Sequence, residues 1–424
     1  MLNFIKDRHL ARLTAYSLTD QALLSLTSFA TSALLLRLAS KESFGLYAQM
    51  VNLLAFFSPV HAGIFVSAFI ALASQLRGPE LVRFKAGMAR AELTCLVVSL
   101  PAVGFLMLLL PRSMVGTGST AIVLPFCVSL GGLWAREFVR AQYFVRYRHN
   151  LALLVDSAYS AMLIGGIVLL SLGHAVTVNL VLLVGGFASL LAVAGPWISG
   201  LIAEAPSPAI IRRDLTTTWV AGRWDIAGSA VSWLSQQSYI YFAALQGGLA
   251  GAAEIAAARL LVMPLLVVWT GYANVIRPES ARLFAAGDLR GLRGLAARAS
   301  ALVIALTCGY GVLLFGVYTT LQGALMGRAF EGIGGFVALW LLYALVTGLD
   351  TVLAGILRSG LQFKSVFLIT LLVCPVTLAA VAIGLLLGSK GAPLWGMTLG
   401  EGVFILLASR RLLSLLQPGS AQAA

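Results

Sequence analysis

Apolar runs of membrane-spanning length recur along the whole chain, and they restrict its fold more than any other feature. Each run holds roughly 20 or more mainly apolar residues, which is enough for a helix to cross a bilayer. Strands of a membrane barrel are about half as long and alternate in polarity, so the runs predict helices. The twelve predicted spans are residues 14–38, 45–72, 86–110, 120–142, 151–172, 176–202, 217–245, 251–276, 299–322, 332–357, 364–388 and 392–415. We therefore expect an all-α integral membrane protein with twelve transmembrane helices.

Composition and the placement of basic residues support this interpretation. Hydrophobic residues make up 59% of the chain and charged residues 11%, which is outside the range of soluble proteins. The net charge of +13 could indicate a nucleic-acid partner, but most Lys and Arg lie at the termini and in the even-numbered connections between spans. By the positive-inside rule, both termini are then cytoplasmic. The basic excess is a topology signal, and we expect no nucleic acid as a partner.

A polar segment near the middle, EAPSPAIIRRD at residues 204–214, divides the chain. Its prolines and charges are typical of a linker. We assign residues 1–203 to an N-terminal six-helix lobe, 204–216 to a cytoplasmic linker and 217–424 to a C-terminal six-helix lobe. Because six is even, both lobes begin on the same side, and a repeat would be parallel. At one constant offset, Ser17, Gln21, Leu24 and Ser28 of span 1 match Asp225, Ser229, Ser232 and Gln236 of span 7, which supports such a repeat.

Span 1 has more polar residues than a membrane anchor needs. At about 100° per residue, they fall within an arc of about 160°. Span 7 has a narrower stripe of the same kind. The members in span 1 are Asp20, Gln21, Ser25, Thr27, Ser28, Thr31 and Ser32, and those in span 7 are Asp225, Ser229, Ser232 and Gln236, with Gln237 beside them. Polar side chains in a membrane face protein or a water-filled cavity, so the stripes indicate either interhelical hydrogen bonds or a polar cavity between the two halves.

Several ionisable residues inside or near the spans are candidates for function. Arg259 lies within span 8, where an unpaired charge is costly, so it either binds a ligand or is paired or snorkels to the surface. Arg37 and Arg223 lie near span ends, where anchoring is the simpler interpretation. His61 in span 2 could titrate near neutral pH or could be a hydrogen-bonded structural histidine.

A basic, aromatic face occurs at the cytoplasmic end of span 4. Arg136, Arg140, Tyr143 and Tyr147 share it by i, i+3 and i, i+4 spacing. Such a face could hold a phosphate-bearing headgroup. Anchoring to anionic lipid explains it equally well, and we favour anchoring.

The motifs of common membrane-bound enzymes are missing from the sequence. It has no GxxxxGK[ST], HExxH or GxSxG, and its connections are too short for an extramembrane catalytic domain. We therefore expect a transporter without a cofactor, and no metal site.

The sequence resembles a known family at several places. Over roughly the first 50 residues these are Asp20-Gln21, Ser25, Ser28-Phe29, Arg37 and Phe44-Gly45, and weaker similarity occurs in RWDIAGSAVSWLSQQ and ARLLVMP. These resemble Wzx-type polysaccharide flippases, from the superfamily that includes multidrug and toxin extrusion transporters and the lipid II flippase. Ser28 stands where related sequences often have Asn.

The resemblance implies a fold of two parallel six-helix lobes and a specific transport reaction. An undecaprenyl-diphosphate-linked oligosaccharide would pass from the cytoplasmic to the periplasmic leaflet of the bacterial inner membrane, by alternating access through a central polar cavity. This step serves exopolysaccharide, O-antigen or capsule synthesis. Partners would be the lipid-linked glycan, membrane lipids, and assembly proteins such as a polymerase and glycosyltransferases.

The site residues follow from the stripes and the intramembrane charges. Arg259 would contact phosphate, and Arg37 and Arg223 would be approach sites. The residues expected to hydrate or bind the sugar are Asp20, Gln21, Ser25, Ser28, Asp225, Ser229, Gln236 and Gln237. Asp20 or Asp225 could instead bind a coupling proton or sodium ion.

Three other functions remain open. A drug-cation antiporter of the multidrug extrusion type would share the fold but needs an acidic cavity. A membrane polymerase is disfavoured by the short connections. A non-transporting assembly scaffold would tolerate loss of the polar stripes.

Overall fold

A computed structural model describes residues 8–110, 119–202, 206–321, 330–360 and 362–415. These residues form long helices joined by short connections, and the described part of the chain contains no strand. The helices are α1 (Arg8–Leu38), α2 (Lys41–His61), α3 (Phe69–Ala73), α4 (Gly78–Leu108), α5 (Ser119–Val145), α6 (His149–Leu172), α7 (Val178–Ile202), α8 (Pro208–Gln237), α9 (Tyr239–Ala285), α10 (Leu289–Leu321), α11 (Gly334–Ser359), α12 (Phe363–Leu386) and α13 (Ala392–Leu415). The predicted all-α membrane fold is confirmed.

The predicted number of spans agrees with the helices once one long apolar segment is divided. Eleven segments among the described residues are long and apolar enough to cross a membrane, and one of them, Ile226–Ala273, has 48 residues. At about 1.5 Å per residue, that is about twice the roughly 30 Å of a bilayer core. Gly248 interrupts this segment with non-helical backbone angles of φ 62° and ψ −162°. The chain turns back there, because a Cβ at Gly251 would lie 2.9 Å from the carbonyl oxygen of Ala243. Spans 7 and 8 therefore lie on either side of Gly248.

The described chain consists of two compact units, Met1–Ala230 (unit 1) and Val231–Ala424 (unit 2). The change from one to the other falls within α8, which begins at Pro208. Residues 208–216, which the sequence assigns to a linker, are thus helical. Glu204 and Ala205 lie outside the described residues, and the assignment of the two lobes stays a prediction.

Span 2 is not a regular α-helix. After Pro59 and His61, α2 continues as a π-helix over Ala62–Ala68, named here the π segment, before α3 begins at Phe69. Proline removes a backbone donor and clashes with the preceding turn, which explains why the hydrogen-bonding pattern changes at this point. The π segment packs tightly against α8, because a Cβ at Gly63 would touch the side chain of Ile226.

Small residues allow the helices of unit 1 to pack closely. A Cβ at Gly186 of α7 would lie 2.7 Å from the backbone of Val128 in α5, and a Cβ at Gly132 would meet the carbonyl of Gly186. Close approach of this kind is typical of membrane helices, whose association depends on packing because lipid tails are as apolar as the side chains. The contact fixes α5, which supplies the charged residues of the candidate site.

Candidate functional site

Unit 1 encloses a cavity of about 550 Å³, here called the unit 1 cavity. Helices α1, α2, α5, α6 and α7 contribute to its wall, together with Ser229 of α8. The hydroxyl-bearing residues that line it are Thr27, Ser28, Thr31, Tyr47, Ser58, Ser129, Tyr159, Ser189 and Ser229. Arg136 is the charged residue among the described residues that line it. The cavity is therefore rich in hydroxyl groups and is lined by one guanidinium group.

Several of these hydroxyl groups donate to the helix backbone. Thr27 Oγ1 donates to the carbonyl oxygen of Leu23 at 2.8 Å, and Ser58 Oγ donates to that of Leu54 at 2.9 Å. Ser129 Oγ donates to the carbonyl oxygen of Leu182 at 2.6 Å. A hydroxyl that has donated its only hydrogen keeps two lone pairs as acceptors. These three oxygens therefore offer acceptors, and no donor, toward the cavity.

Arg136 belongs to a buried ionic network that joins α1, α5 and α6. Its Nη1 lies 3.3 Å from Asp156 Oδ1, and Arg140 Nε lies 2.7 Å from Asp156 Oδ2. Arg140 Nη2 also donates to Asp20 Oδ2 at 2.9 Å. The Arg136 guanidinium stacks on the ring of Tyr159, 3.7 Å from its centroid. With two arginines and two aspartates, the network is formally neutral.

The sequence analysis was wrong in assigning Arg136 and Arg140 to lipid anchoring. Arg136 is only 6% exposed, and both side chains are paired inside unit 1. Their i, i+4 spacing on α5 places them opposite Asp156 and Tyr159, which share a face of α6 by i, i+3 spacing. Tyr147 of the same predicted face is exposed. Asp156, an acidic residue in the middle of an apolar span, was the signal that could have identified this network.

The predicted site residues of span 1 have different surroundings. Ser28 lines the unit 1 cavity, and Asp20 is buried in the ionic network. Ser25 is half-buried, and Gln21 and Arg37 are exposed. On α8, Ser229 lines the cavity and Arg223 is exposed, whereas the side chain of Asp225 lies outside the described part of the chain. The cavity found here lies within unit 1, and the predicted cavity between the two halves stays a prediction.

Arg259 and Gln237 are brought together in unit 2. Arg259 Nη1 donates to the hydroxyl oxygen of Tyr239 at 2.9 Å and to Gln237 Oε1 at 3.4 Å. The guanidinium also lies 5.7 Å from the ring centroid of Tyr239 and 5.6 Å from that of Trp340. These four contacts are with neutral groups, so they position the cation without neutralising it. Arg259 is therefore suited to a ligand that carries negative charge.

Gln236 belongs to a separate polar pocket of about 330 Å³ in unit 2. Its Nε2 donates to Glu401 Oε1 at 3.0 Å, and Asp350 lines the same pocket. Arg277 and Arg358 also line this pocket. The sequence analysis did not consider Asp350 and Glu401, although each is an acidic residue within a predicted span.

Comparison with known proteins identifies the fold. No family model matches the chain, and no curated protein matches it. Among solved structures, it is similar to a multidrug resistance MATE family transporter of the MOP superfamily in an inward-facing conformation. The two chains are 15% identical, the alignment covers 94% of this chain and 96% of that one, and the TM-score is 0.72. It is similar to the lipid II flippase MurJ in an inward closed conformation, with 12% identity, coverage of 96% and 88%, and a TM-score of 0.73.

A third similar structure is a MOP superfamily transporter from Pyrococcus furiosus whose binding pocket has reverse polarity. It is 14% identical, with coverage of 96% of both chains and a TM-score of 0.59. Identities in this range establish a shared fold and leave the substrate to be argued from the site. The chain therefore has the fold that MATE transporters share with the lipid II flippase MurJ.

Proposed function

We propose that this protein is a flippase for an undecaprenyl-diphosphate-linked oligosaccharide. It would move this lipid from the cytoplasmic to the periplasmic leaflet of a bacterial inner membrane, by alternating access, for the synthesis of exopolysaccharide, O-antigen or capsule. The observation that carries the proposal is the wall of the unit 1 cavity, where hydroxyl groups surround the guanidinium of Arg136. Sugar hydroxyls and phosphate oxygens are the groups that such a wall can hydrogen-bond.

The physical problem in flipping such a lipid is the loss of hydration. A glycan and a diphosphate entering hydrocarbon lose hydrogen bonds with water, at a cost of roughly 2–7 kcal/mol for each unpaired polar group. Serine and threonine hydroxyls replace the hydrogen bonds of the sugar, and a guanidinium pairs with the charged phosphate. The prenyl chain stays in the bilayer, so it contributes no desolvation cost.

A drug-cation antiporter remains the alternative, because the similar MATE structure is a multidrug resistance transporter. An organic cation in the unit 1 cavity would face Arg136, and two like charges repel strongly where little water screens them. Asp156 and Asp20 are paired with Arg136 and Arg140, so neither carboxylate is left to pair with a cation. Arg136 lines the cavity and keeps a donor, Nε, without a partner among the described residues, which favours a cargo with acceptor oxygens over an organic cation.

Coupling to a proton or sodium gradient is also part of the proposal. Of the two aspartates considered for it, Asp20 is paired with Arg140. A partner polymerase and glycosyltransferases would supply and consume the cargo. These assignments rest on the resemblance to Wzx-type flippases.

The decisive test is the leaflet distribution of lipid-linked oligosaccharide in cells with variant proteins. We expect depletion of the protein to confine this lipid to the cytoplasmic leaflet. Arg136→Gln should slow its appearance in the outer leaflet by roughly tenfold or more, since a charge-assisted hydrogen bond contributes about 1.5–3 kcal/mol. Arg136→Lys keeps the charge and should retain more transport than Arg136→Gln.

The matched control is Arg213→Gln, because the Arg213 side chain is 75% exposed outside the cavity. Membrane abundance of each variant is measured in parallel. An unchanged leaflet distribution and normal surface polymer after depletion would reject the flippase and favour the antiporter. Arg259→Ala tests the second cation, and we expect it to abolish transport at normal abundance.

A further inference from the structure

A second ionisable cluster in unit 1 lies behind the wall of the cavity. His61 Nε2 is 3.1 Å from Glu92 Oε1, and Trp197 Nε1 donates to Glu92 Oε2 at 3.0 Å. The imidazole stacks between Phe65 and Trp134, with both ring centroids 5.1 Å away. His61 is 2% exposed and Glu92 is fully buried. The predicted hydrogen bond of His61 is confirmed, and its partner is a carboxyl group.

The pair can bind one proton, and the protonated form is the one that apolar surroundings favour. Its deprotonated form, a neutral imidazole beside a carboxylate, carries a net charge of −1 in apolar surroundings, where charge is strongly disfavoured. One proton makes the pair neutral, either as imidazolium and carboxylate or as imidazole and carboxylic acid. In the deprotonated form Nε2–H donates to the Glu92 carboxylate, so the added proton goes to His61 Nδ1 or to the carboxylate, and no other covalent bond changes. Such a pair titrates as a unit.

The helices around the pair carry other charged and titratable groups. Arg90 of α4 donates to the carbonyl oxygens of Ala86 at 3.1 Å and Leu201 at 2.6 Å. Arg136 of α5 contacts Asp156 and Tyr159. The π segment and α7 contain no ionisable residue, and Arg223 of α8 is exposed. The other titratable groups of these elements are Lys41, Glu42 and Tyr47 on α2, Glu80, Arg83, Lys85 and Cys95 on α4, Cys127, Glu137, Arg140 and Tyr143 on α5, and Arg212, Arg213, Asp214 and Asp225 on α8, where the side chain of Asp225 lies outside the described part.

The position of the pair connects it to the cavity. His61 is the last residue of α2, and the π segment begins at the next residue. Pro59 and Ala62, on either side of His61, line the unit 1 cavity, as does Leu133 beside Trp134. A π-helical turn is a local irregularity that often marks a functional site, because its hydrogen bonds are rearranged more easily than those of an α-helix. A charge change at His61 therefore acts where span 2 is least regular and where its neighbours Pro59 and Ala62 line the cavity.

We propose that His61 and Glu92 form a proton-binding site that couples proton uptake to a change in span 2 at the cavity wall. With the proton bound, the neutral pair keeps the π segment packed against Trp134 and α4. Without it, the negative charge draws water toward the pair, and the π segment and the cavity wall rearrange. The inference does not depend on the identity of the cargo, and it assigns the coupling ion as a proton.

Trp134 provides a direct readout of proton binding in the purified protein. Because a change of charge next to a stacked indole alters its fluorescence whichever member of the pair takes up the proton, the fluorescence lost in Trp134→Phe should depend on pH over about pH 5 to 9. We expect this dependence to disappear in His61→Asn and to shift or disappear in Glu92→Gln, which keeps an amide of the same shape. Monodisperse elution on size exclusion verifies that each variant is folded. A pH dependence that persists unchanged in His61→Asn would overturn the site.

Coupling is tested by cysteine labelling in a background without Cys95, Cys127, Cys308 and Cys374. Ala62→Cys reports on the wall beside the π segment, and Ser28→Cys on α1 in the same cavity is the matched control for the intrinsic pH dependence of thiol reactivity. The ratio of the two labelling rates should change with pH over the interval of the fluorescence titration. It should be independent of pH when Glu92→Gln is added. A ratio that is constant in the presence of Glu92 would reject coupling even where the pair binds a proton.

Discussion

The side chain of Arg136 is held by two contacts that leave part of its hydrogen-bonding capacity to a ligand. Asp156 is 3.3 Å away, but this carboxylate lies closer to Arg140, at 2.7 Å. The ring of Tyr159 attracts the guanidinium through its face and occupies none of its N–H donors. Arg136 Nε is buried without a hydrogen-bond partner among the described residues. A phosphate in the cavity could accept from the donors that remain.

Removal of Asp156 should destabilise the protein strongly. Asp156→Ala leaves two buried arginines with Asp20 as the remaining carboxylate of the network, and an uncompensated buried charge costs about 3–5 kcal/mol. We expect a lower thermal unfolding midpoint in detergent and reduced membrane abundance. The control is Glu279→Ala, which breaks an exposed pair with Arg282 and should leave the unfolding midpoint nearly unchanged, because solvent screens exposed ion pairs. An unfolding midpoint for Asp156→Ala equal to that of the control would show that the network does not stabilise the fold.

Individual pairings were the least predictable feature at this scale. The spacing of Arg136 and Arg140 on one helix face was visible in the sequence, but their partners were not. Asp20 lies 120 residues before Arg140, and Asp156 lies on the next helix. A face of arginines looks the same whether it meets lipid headgroups or buried carboxylates. The acidic residues within spans are the better signal, because an acid in a membrane needs a partner. Three of them, Glu92, Asp156 and Glu401, proved to be hydrogen-bonded or ion-paired.

Among the helices, the turn at Gly248 decides how many times the chain crosses the membrane. Its combination of φ 62° and ψ −162° belongs to a region that side-chain-bearing residues avoid. Gly248→Ala should therefore cost about 1–3 kcal/mol of stability through backbone strain. Gly247→Ala is the matched control, because Gly247 has the same open surroundings as Gly248 but no positive φ. Equal unfolding midpoints for the two variants would mean that the turn adopts another conformation.

Helices were predicted more reliably than the breaks within them. The length of apolar runs determines where a helix can cross, and all twelve predicted spans overlap helices of the structure. The change from α-helix to π-helix after His61 was not predicted, since Pro59 alone does not specify which hydrogen bonds replace those it removes. The start of α8 at Pro208 was also missed, because the prolines and charges of the segment resemble a linker. Proline is favourable in the first turn of a helix, which accounts for this difference.

For the whole molecule, the distribution of basic residues predicts an orientation that can be measured. Alkaline phosphatase fused after Ala175, in the connection between α6 and α7, should be active, because this odd-numbered connection is expected to be periplasmic. A fusion after Arg148, between α5 and α6, should be inactive. A fluorescent protein that folds only in the cytoplasm should give the opposite pattern at both positions. Activity of phosphatase at Arg148 would reverse the predicted orientation and the predicted direction of transport.

The hydroxyl groups of the unit 1 cavity have a consequence for the order of biosynthetic steps. Thr27, Ser58 and Ser129 donate their hydrogens to the backbone, so they offer a cargo only acceptors. At these three positions a free sugar hydroxyl finds an acceptor, whereas an acetyl or methyl group in its place leaves acceptor facing acceptor. Under the proposed function, enzymes that acylate or methylate the glycan would have to act on the far side of the membrane, after the carrier has delivered it. The finished surface polymer would then carry acyl or methyl groups that the exported unit lacks. This difference would reflect which glycans the transporter binds.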